Sequence, residues 1–212
     1  MEIFQNREEG GVRLSERLNH YRRHPEAIVI GLPRGGVITA AAVARSLELP
    51  LDVIVVRKVG CPGNPELAVG AIMEDGTEVL NEEMLERLGL SRRDIALTIE
   101  EEQLEARRRL KVYRGQRPPL VLKDRVTLLV DDGIATGATM RAAIASARRH
   151  GAQRIIVAAP VMPRDTFYEM EDLADEVVCV STPDIFWGIG GFYRSFDQAT
   201  DEEVISQLEQ PT

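Results

Sequence analysis

Apolar residues in this chain fall into five short continuous runs, set between longer stretches with helical spacing. The runs cover residues 27–32 (AIVIGL), 51–56 (LDVIVV), 126–130 (VTLLV), 154–160 (RIIVAAP) and 176–181 (EVVCVS). Apolar, β-branched runs of this length read as strands buried on both faces, the habit of a parallel sheet. Residues 37–47, 140–150 and 165–172 read as helices between them, the second stopped by Gly151. Strand and helix therefore alternate, which predicts an α/β fold: a twisted, mainly parallel sheet with helices on both faces. Residues 7–23 add a helix carrying Val12, Leu14, Leu18 and Tyr21, its start weakened by Gly10-Gly11. It packs on the sheet or joins a hood over one end. A closing helix at 201–208 is capped by Thr200 or Asp201.

Two regions break the alternation. Residues 59–65 (VGCPGNP) are dense in turn formers and read as a mobile loop. Residues 68–73 and 77–80 then flank Glu74-Asp75-Gly76, a hairpin signal. From 81 to 114 the pattern is helical, with Asn81 capping a short helix closed by Gly89 and Ser91 capping a longer one. Its mixed charges, including Glu100-Glu101-Glu102 and Arg107-Arg108-Arg109, suggest an exposed or partner-facing pair of helices. Residues 115–119 (GQRPP) lead back to the sheet. Residues 182–196 hold Phe186, Trp187, Phe192, Tyr193 and Phe196 with glycines between them, a cover over the core or over a ligand. The expected organisation is a single domain over 1–212, with a lid hairpin and helical insertion at 61–115 and a hood at 182–196.

Composition narrows the function classes. At 212 residues the chain is long enough for a substantial core. A formal net charge of −8 and a pI near 5.1 disfavour broad nucleic-acid binding. No apolar stretch is long enough to span a bilayer, and the first residues are too charged for a signal peptide. Cys61 and Cys179 lack CxxC spacing, and His20, His24 and His150 form no metal spacing. A cytoplasmic protein is expected.

The chemistry concentrates in residues 126–140, VTLLVDDGIATGATM. A buried strand ends in Asp131 and Asp132, a loop of small residues follows, and a helix begins. Small residues let backbone N–H groups approach a phosphate, and the helix N-terminus adds partial positive charge. Carboxylates would repel that phosphate but accept hydrogen bonds from sugar hydroxyls. The stretch resembles the phosphoribosyl-pyrophosphate (PRPP) motif of type I phosphoribosyltransferases: an apolar strand, two acids, three variable residues, then Thr-Gly, a small residue and Thr. The resemblance implies that Asp131 and Asp132 hold the ribose 2- and 3-hydroxyls and that Ala135, Thr136, Gly137, Ala138 and Thr139 wrap the 5-phosphate. It implies Mg2+ bound with PRPP, mainly between ligand oxygens, with Asp131 and Asp132 as its candidate protein ligands.

Other segments fit the same family. Pro33-Arg34-Gly35-Gly36 resembles its pyrophosphate loop, where Pro33–Arg34 stands at the position of a cis non-proline peptide. Arg57 and Lys58 resemble its basic pair, giving Lys58 a catalytic role beside a leaving group whose charge grows. Residues 59–80 match its lid, and Phe186 and Trp187 its base-stacking hood. The implied activity is transfer of the 5-phosphoribosyl group to a nitrogenous acceptor, a nucleobase in salvage, by a homodimer; composition adds that a membrane partner is not expected and a nucleic-acid partner is disfavoured. One position departs: Ala135 stands where hypoxanthine-guanine enzymes carry an acid, leaving the general base unassigned among Glu66, Glu74 and Asp184. The alternatives are a regulator that senses PRPP or a nucleotide with little catalysis, and a nonenzymatic docking protein on the same fold.

Overall fold

A computed structural model of the chain describes residues 3–210, apart from the side chains of residues 65 and 66. In chain order the elements are α1 (Arg7–Arg17), β1 (Ala27–Gly31), α2 (Gly35–Leu47), β2 (Leu51–Val53), β3 (Val56–Cys61), β4 (Asn64–Met73), β5 (Glu78–Leu80), α3 (Glu82–Leu88) and α4 (Ala96–Arg114). They continue with β6 (Val126–Val130), α5 (Ala138–Arg149), β7 (Arg154–Val161), α6 (Arg164–Glu171), β8 (Glu176–Ser181) and α7 (Asp201–Glu209). Five strands form a parallel sheet in the order β2-β1-β6-β7-β8. Alternate residues of its strands feed opposite faces. Val29, Leu128 and Ile156 pack with Leu14 of α1 and Val37, Ala40 and Ala44 of α2. Ile30, Leu129 and Val157 pack with Met140, Ala143 and Ala147 of α5 and Met170 of α6. The α/β architecture predicted from the alternating runs is the one observed.

α1 ends at Arg17, and Asn19–Tyr21 forms a 3-10 turn, so the predicted helix to residue 23 is shorter than expected. Gly10 and Gly11 are where α1 meets its neighbours. A Cβ on Gly11 would lie 2.5 Å from the Thr39 carbonyl oxygen of α2, so the glycine permits a close helix crossing.

The run at 51–56 is not one strand. β2 stops at Val53, and the buried Ile54 and Val55 carry the chain to β3 in a separate antiparallel sheet, β3-β4-β5. Apolarity persists through the break because all these positions are buried or partly buried, which hides the change of sheet from a hydropathy reading. Residues 59–65, expected as a loop, are the tip of the β3–β4 hairpin, with Gly63 at φ 79° in its turn. Val59, Val69 and Ile72 of this sheet pack against Leu85 of α3, Ile95 at the start of α4 and Ile99 within it. Asn81 caps α3 by accepting from the Met84 N–H, and Gly89 ends it at φ 64°. Ser91 caps nothing: its N–H and hydroxyl donate to Asp94, and α4 starts only at Ala96.

Phe4 and the segment after β8 clasp each other. Phe4 donates to the Phe192 carbonyl at 2.8 Å and accepts from the Arg194 N–H at 2.9 Å, and its ring packs with Phe192 and Tyr193. Thr200 closes a capping box at α7. No helix among the described residues is long and apolar enough to cross a membrane.

Candidate active site

Gly31 pairs with Val130, so the carboxyl ends of β1 and β6 lie side by side. β6 delivers Asp131 and Asp132. β1 delivers Pro33 and Arg34, joined by a cis peptide. α2 then begins at Gly35, against the carboxylates: a Cβ on Gly35 would lie 2.0 Å from Asp132 Oδ2, and one on Gly36 2.6 Å from Asp131 Oδ1. A side chain at either position would displace the acid pair.

Asp132 is buried, and its Oδ2 accepts from Arg7 Nε at 2.6 Å. Arg7 also donates to the Asp197 carbonyl at 2.6 Å and lies over the Phe196 ring, 3.9 Å from its centre. The Asp132 N–H donates to Asp131 Oδ1 at 2.8 Å, and its carbonyl accepts from the Tyr193 hydroxyl at 2.5 Å. Burial pushes the Tyr193 phenol well above its ordinary range, which keeps it a donor. Asp131 is held well above the usual carboxylate range, first by burial and then by the charge of Asp132, with Arg7 pulling the other way. Among the described residues, Asp131 Oδ2 and Asp132 Oδ1 accept no hydrogen bond, leaving one oxygen of each acid for hydroxyl donors.

The loop beyond the acids is tied through its carbonyls. Thr166 of α6 donates to the Ala135 carbonyl at 2.7 Å, and Arg141 of α5 donates to the Thr136 carbonyl at 2.6 Å. With those carbonyls tied from outside, no amide from Ala135 to Thr139 donates to a backbone carbonyl among the described residues. Gly137 sits at φ 73° as the residue before α5, so the loop meets a helix N-terminus whose first N–H groups have no partners within the helix. Such a set of open donors fits a phosphate.

A cleft of about 150 Å³ is lined by Lys58, Asp131, Asp132, residues 133–140 and Ile189. It brings together the acid pair, the loop Ala135 to Thr139 and Lys58, which sits inside β3 rather than at the end of a parallel strand. Arg57 points elsewhere, its Nε donating to Glu102 of α4 at 2.6 Å. Pro33 and Arg34 are half-buried outside the cleft, and the positive charge of Arg34 is felt by Tyr113 of α4. Phe186 stacks on Phe192 at 5.5 Å between ring centres, and Trp187 is 94% exposed, so neither lines the cleft. Asp184 pairs with Arg164 at the surface, Glu74 lines a different cavity, and the Glu66 side chain lies outside the described residues.

Three site residues escape sequence reasoning. Arg7 is 125 positions from its partner and is one of several arginines in and near α1. Tyr193 reads only as one aromatic among five. Ile189, which meets the loop at Gly133, stands between Gly188 and Gly190; that isolation is the one signal that its side chain has room to face a ligand.

Comparison with known proteins bears on the whole chain. The family model for the phosphoribosyl transferase domain matches residues 2–197. Proteins from two strains of Mycobacterium tuberculosis, provisionally named phosphoribosyl transferases, are 43% identical over 209 residues. The match takes in 99% of this chain and 47% of theirs, so the chain spans about half the length of these curated relatives. The crystal structure of TT1426 from Thermus thermophilus shares 39% identity at a TM-score of 0.81, over 98% of each chain.

Proposed function

This chain belongs to the phosphoribosyl transferase domain family, and from that premise we propose that it transfers the 5-phosphoribosyl group of PRPP to a nitrogenous acceptor, a nucleobase. The acceptor nitrogen bonds to C1 of the ribose, the C1–oxygen bond to pyrophosphate breaks, and pyrophosphate leaves with that electron pair. The displaced acceptor proton passes to solvent or to the leaving group. The observation that carries this reading is the convergence of two acid oxygens, a row of open amides and one lysine on one cleft.

In this reading Asp131 and Asp132 accept from the ribose hydroxyls, and the loop Ala135 to Thr139 holds the 5-phosphate. Together they fix C1 in line with its leaving group, so rate comes from positioning. Lys58 supplies positive charge where the departing pyrophosphate gains negative charge. Gly35 and Gly36 give the pyrophosphate loop its close approach to the acid pair, and Arg34 and Arg57 turn toward the ligand on binding. The β3–β4 hairpin is the lid that excludes water, carrying Lys58 with it. Phe186 and Trp187 belong to the hood, which meets the acceptor base.

Mg2+ fits the donor set. Asp131 and Asp132 offer at most two protein carboxylates, and no group of three His, Cys, Asp or Glu among the described residues forms a closed metal cage. An ion that favours six oxygen ligands would take the rest from PRPP and water, supplying charge neutralisation to the phosphates. A cytoplasmic homodimer completes the proposal.

Titration with purines, pyrimidines and small amines in the presence of Mg-PRPP, scored by pyrophosphate release, tests the reaction. Asp131→Asn combined with Asp132→Asn should abolish PRPP binding and turnover. Unchanged PRPP affinity in that double variant would contradict the site. Silence across the panel with PRPP binding intact would favour the sensing reading.

A further inference from the structure

A second cavity, of about 370 Å³, opens between the C-terminal half of α4, the linker beyond it and the β4–β5 turn. Arg107, Lys111 and Arg114 reach it from one face of α4, at positions one helical turn apart. Arg117 enters from the linker, and Leu110 with Pro119 gives an apolar wall.

The cations here are treated differently from others in the chain. Arg108 and Arg109 both pair with Glu105, and Arg92 pairs with Glu78. Arg107 instead donates to the Glu74 carbonyl at 2.9 Å, and Arg117 donates to the Leu51 carbonyl at 3.1 Å and to the Leu208 carbonyl. Backbone carbonyls orient a guanidinium without cancelling its charge. No carboxylate among the described residues forms an ion pair with Arg107, Lys111 or Arg117; Asp52 pairs with Arg114 at 3.0 Å and its charge also reaches Arg117. Glu74, the acid in the same wall, is pushed up to about 7 mainly by burial, so at neutral pH it carries only part of a charge. Glu74 Oε2 and Arg114 Nε, both buried, find no partner among the described residues. The result is a fixed positive hollow on a chain whose net charge is −8.

We propose that this groove is a second anion site that takes a nucleotide, its phosphate held by Arg107, Lys111 and Arg117 and its base laid against Leu110 and Pro119. The groove is open, but its free cations are few and the chain as a whole carries a net charge of −8, which favours a compact anion over an extended polyanion. The inference is independent of the transferase reading, since none of these residues lines the cleft at Asp131.

Calorimetric titration of the full chain with adenosine 5′-monophosphate and, separately, with inorganic phosphate tests it. Lys111 is exposed and makes no side-chain hydrogen bond or ion pair among the described residues, so Lys111→Glu and Lys111→Met should both fold. Each should weaken nucleotide binding by about tenfold or more, the loss of one charge-assisted hydrogen bond. The ribose 5-phosphate of this probe also fits the cleft, so the titrations are repeated in the Asp131→Asn, Asp132→Asn background, where binding that persists and is lost on changing Lys111 belongs to the groove. Equal affinity in the wild type and both Lys111 variants would overturn the proposal. So would nucleotide binding no tighter than that of phosphate, or tighter binding of a single-stranded RNA with the same sensitivity to Lys111.

Discussion

Arg7 carries a positive charge into a pocket that holds two acids. It and Asp132 are each only 11% exposed at the side chain, and Asp131 stands beside them. A cation removed from such a place leaves an uncompensated buried charge, and that is costlier than a surface pair. Arg7→Gln should therefore lower stability by roughly 3 kcal/mol, read as a shift in the urea midpoint at constant slope. Arg7→Lys should recover part of the loss, keeping the charge without the planar fork that also covers Phe196. A Gln variant as stable as the wild type would show that Arg7 does not offset the acid pair. The acids themselves were legible in the sequence because strand, acid pair and small loop are contiguous. Arg7 was not, because nothing local marks one arginine of α1 as the partner of a residue following β6.

The loop after β6 shows the same division within one element. Its glycine and small residues announce a phosphate loop, and α5 follows where the pattern placed it, two residues early. What the pattern does not contain is the clamp: Thr166 from α6 and Arg141 from α5 donate to two of the loop carbonyls. Thr166→Val deletes one of those donors while keeping the side-chain shape. It should weaken PRPP binding about threefold to tenfold with little change in melting temperature, since one neutral hydrogen bond is at stake. Unaltered PRPP affinity would mean the loop holds its shape alone. β2 and β3 were read as one strand because burial continues through Ile54 and Val55, and no polar residue marks where the chain leaves one sheet for the other. α4 joins the two parts described here: Glu102 on one turn holds Arg57 beside Lys58, and Arg107 and Lys111 on later turns line the basic groove.

For the molecule as a whole, the central sheet was legible because each of its long runs is apolar on both faces, a pattern few other structures require. The second sheet was half legible, as a hairpin without its third strand. Glu74, at the turn of that hairpin, sets a property of the entire fold. Its carboxyl rises from an ordinary value of 4.5 to about 7 on burial. The native chain thus binds a proton that the unfolded chain releases, so the stabilisation is complete below about pH 4.5 and is lost as pH climbs through 7. Glu74→Gln should flatten that decline, by up to about 1.4 kcal/mol per pH unit between about pH 5 and 7. Urea titrations of both proteins across that range measure the difference, and parallel curves would contradict the assignment. The clasp between Phe4 and Tyr193 has a consequence in time. Arg7 is synthesised well before Asp132 and Tyr193 well after it, yet both reach that one residue. A chain still emerging from the ribosome can build its central sheet, but Asp132 gains its second long-range partner only when residue 193 has followed.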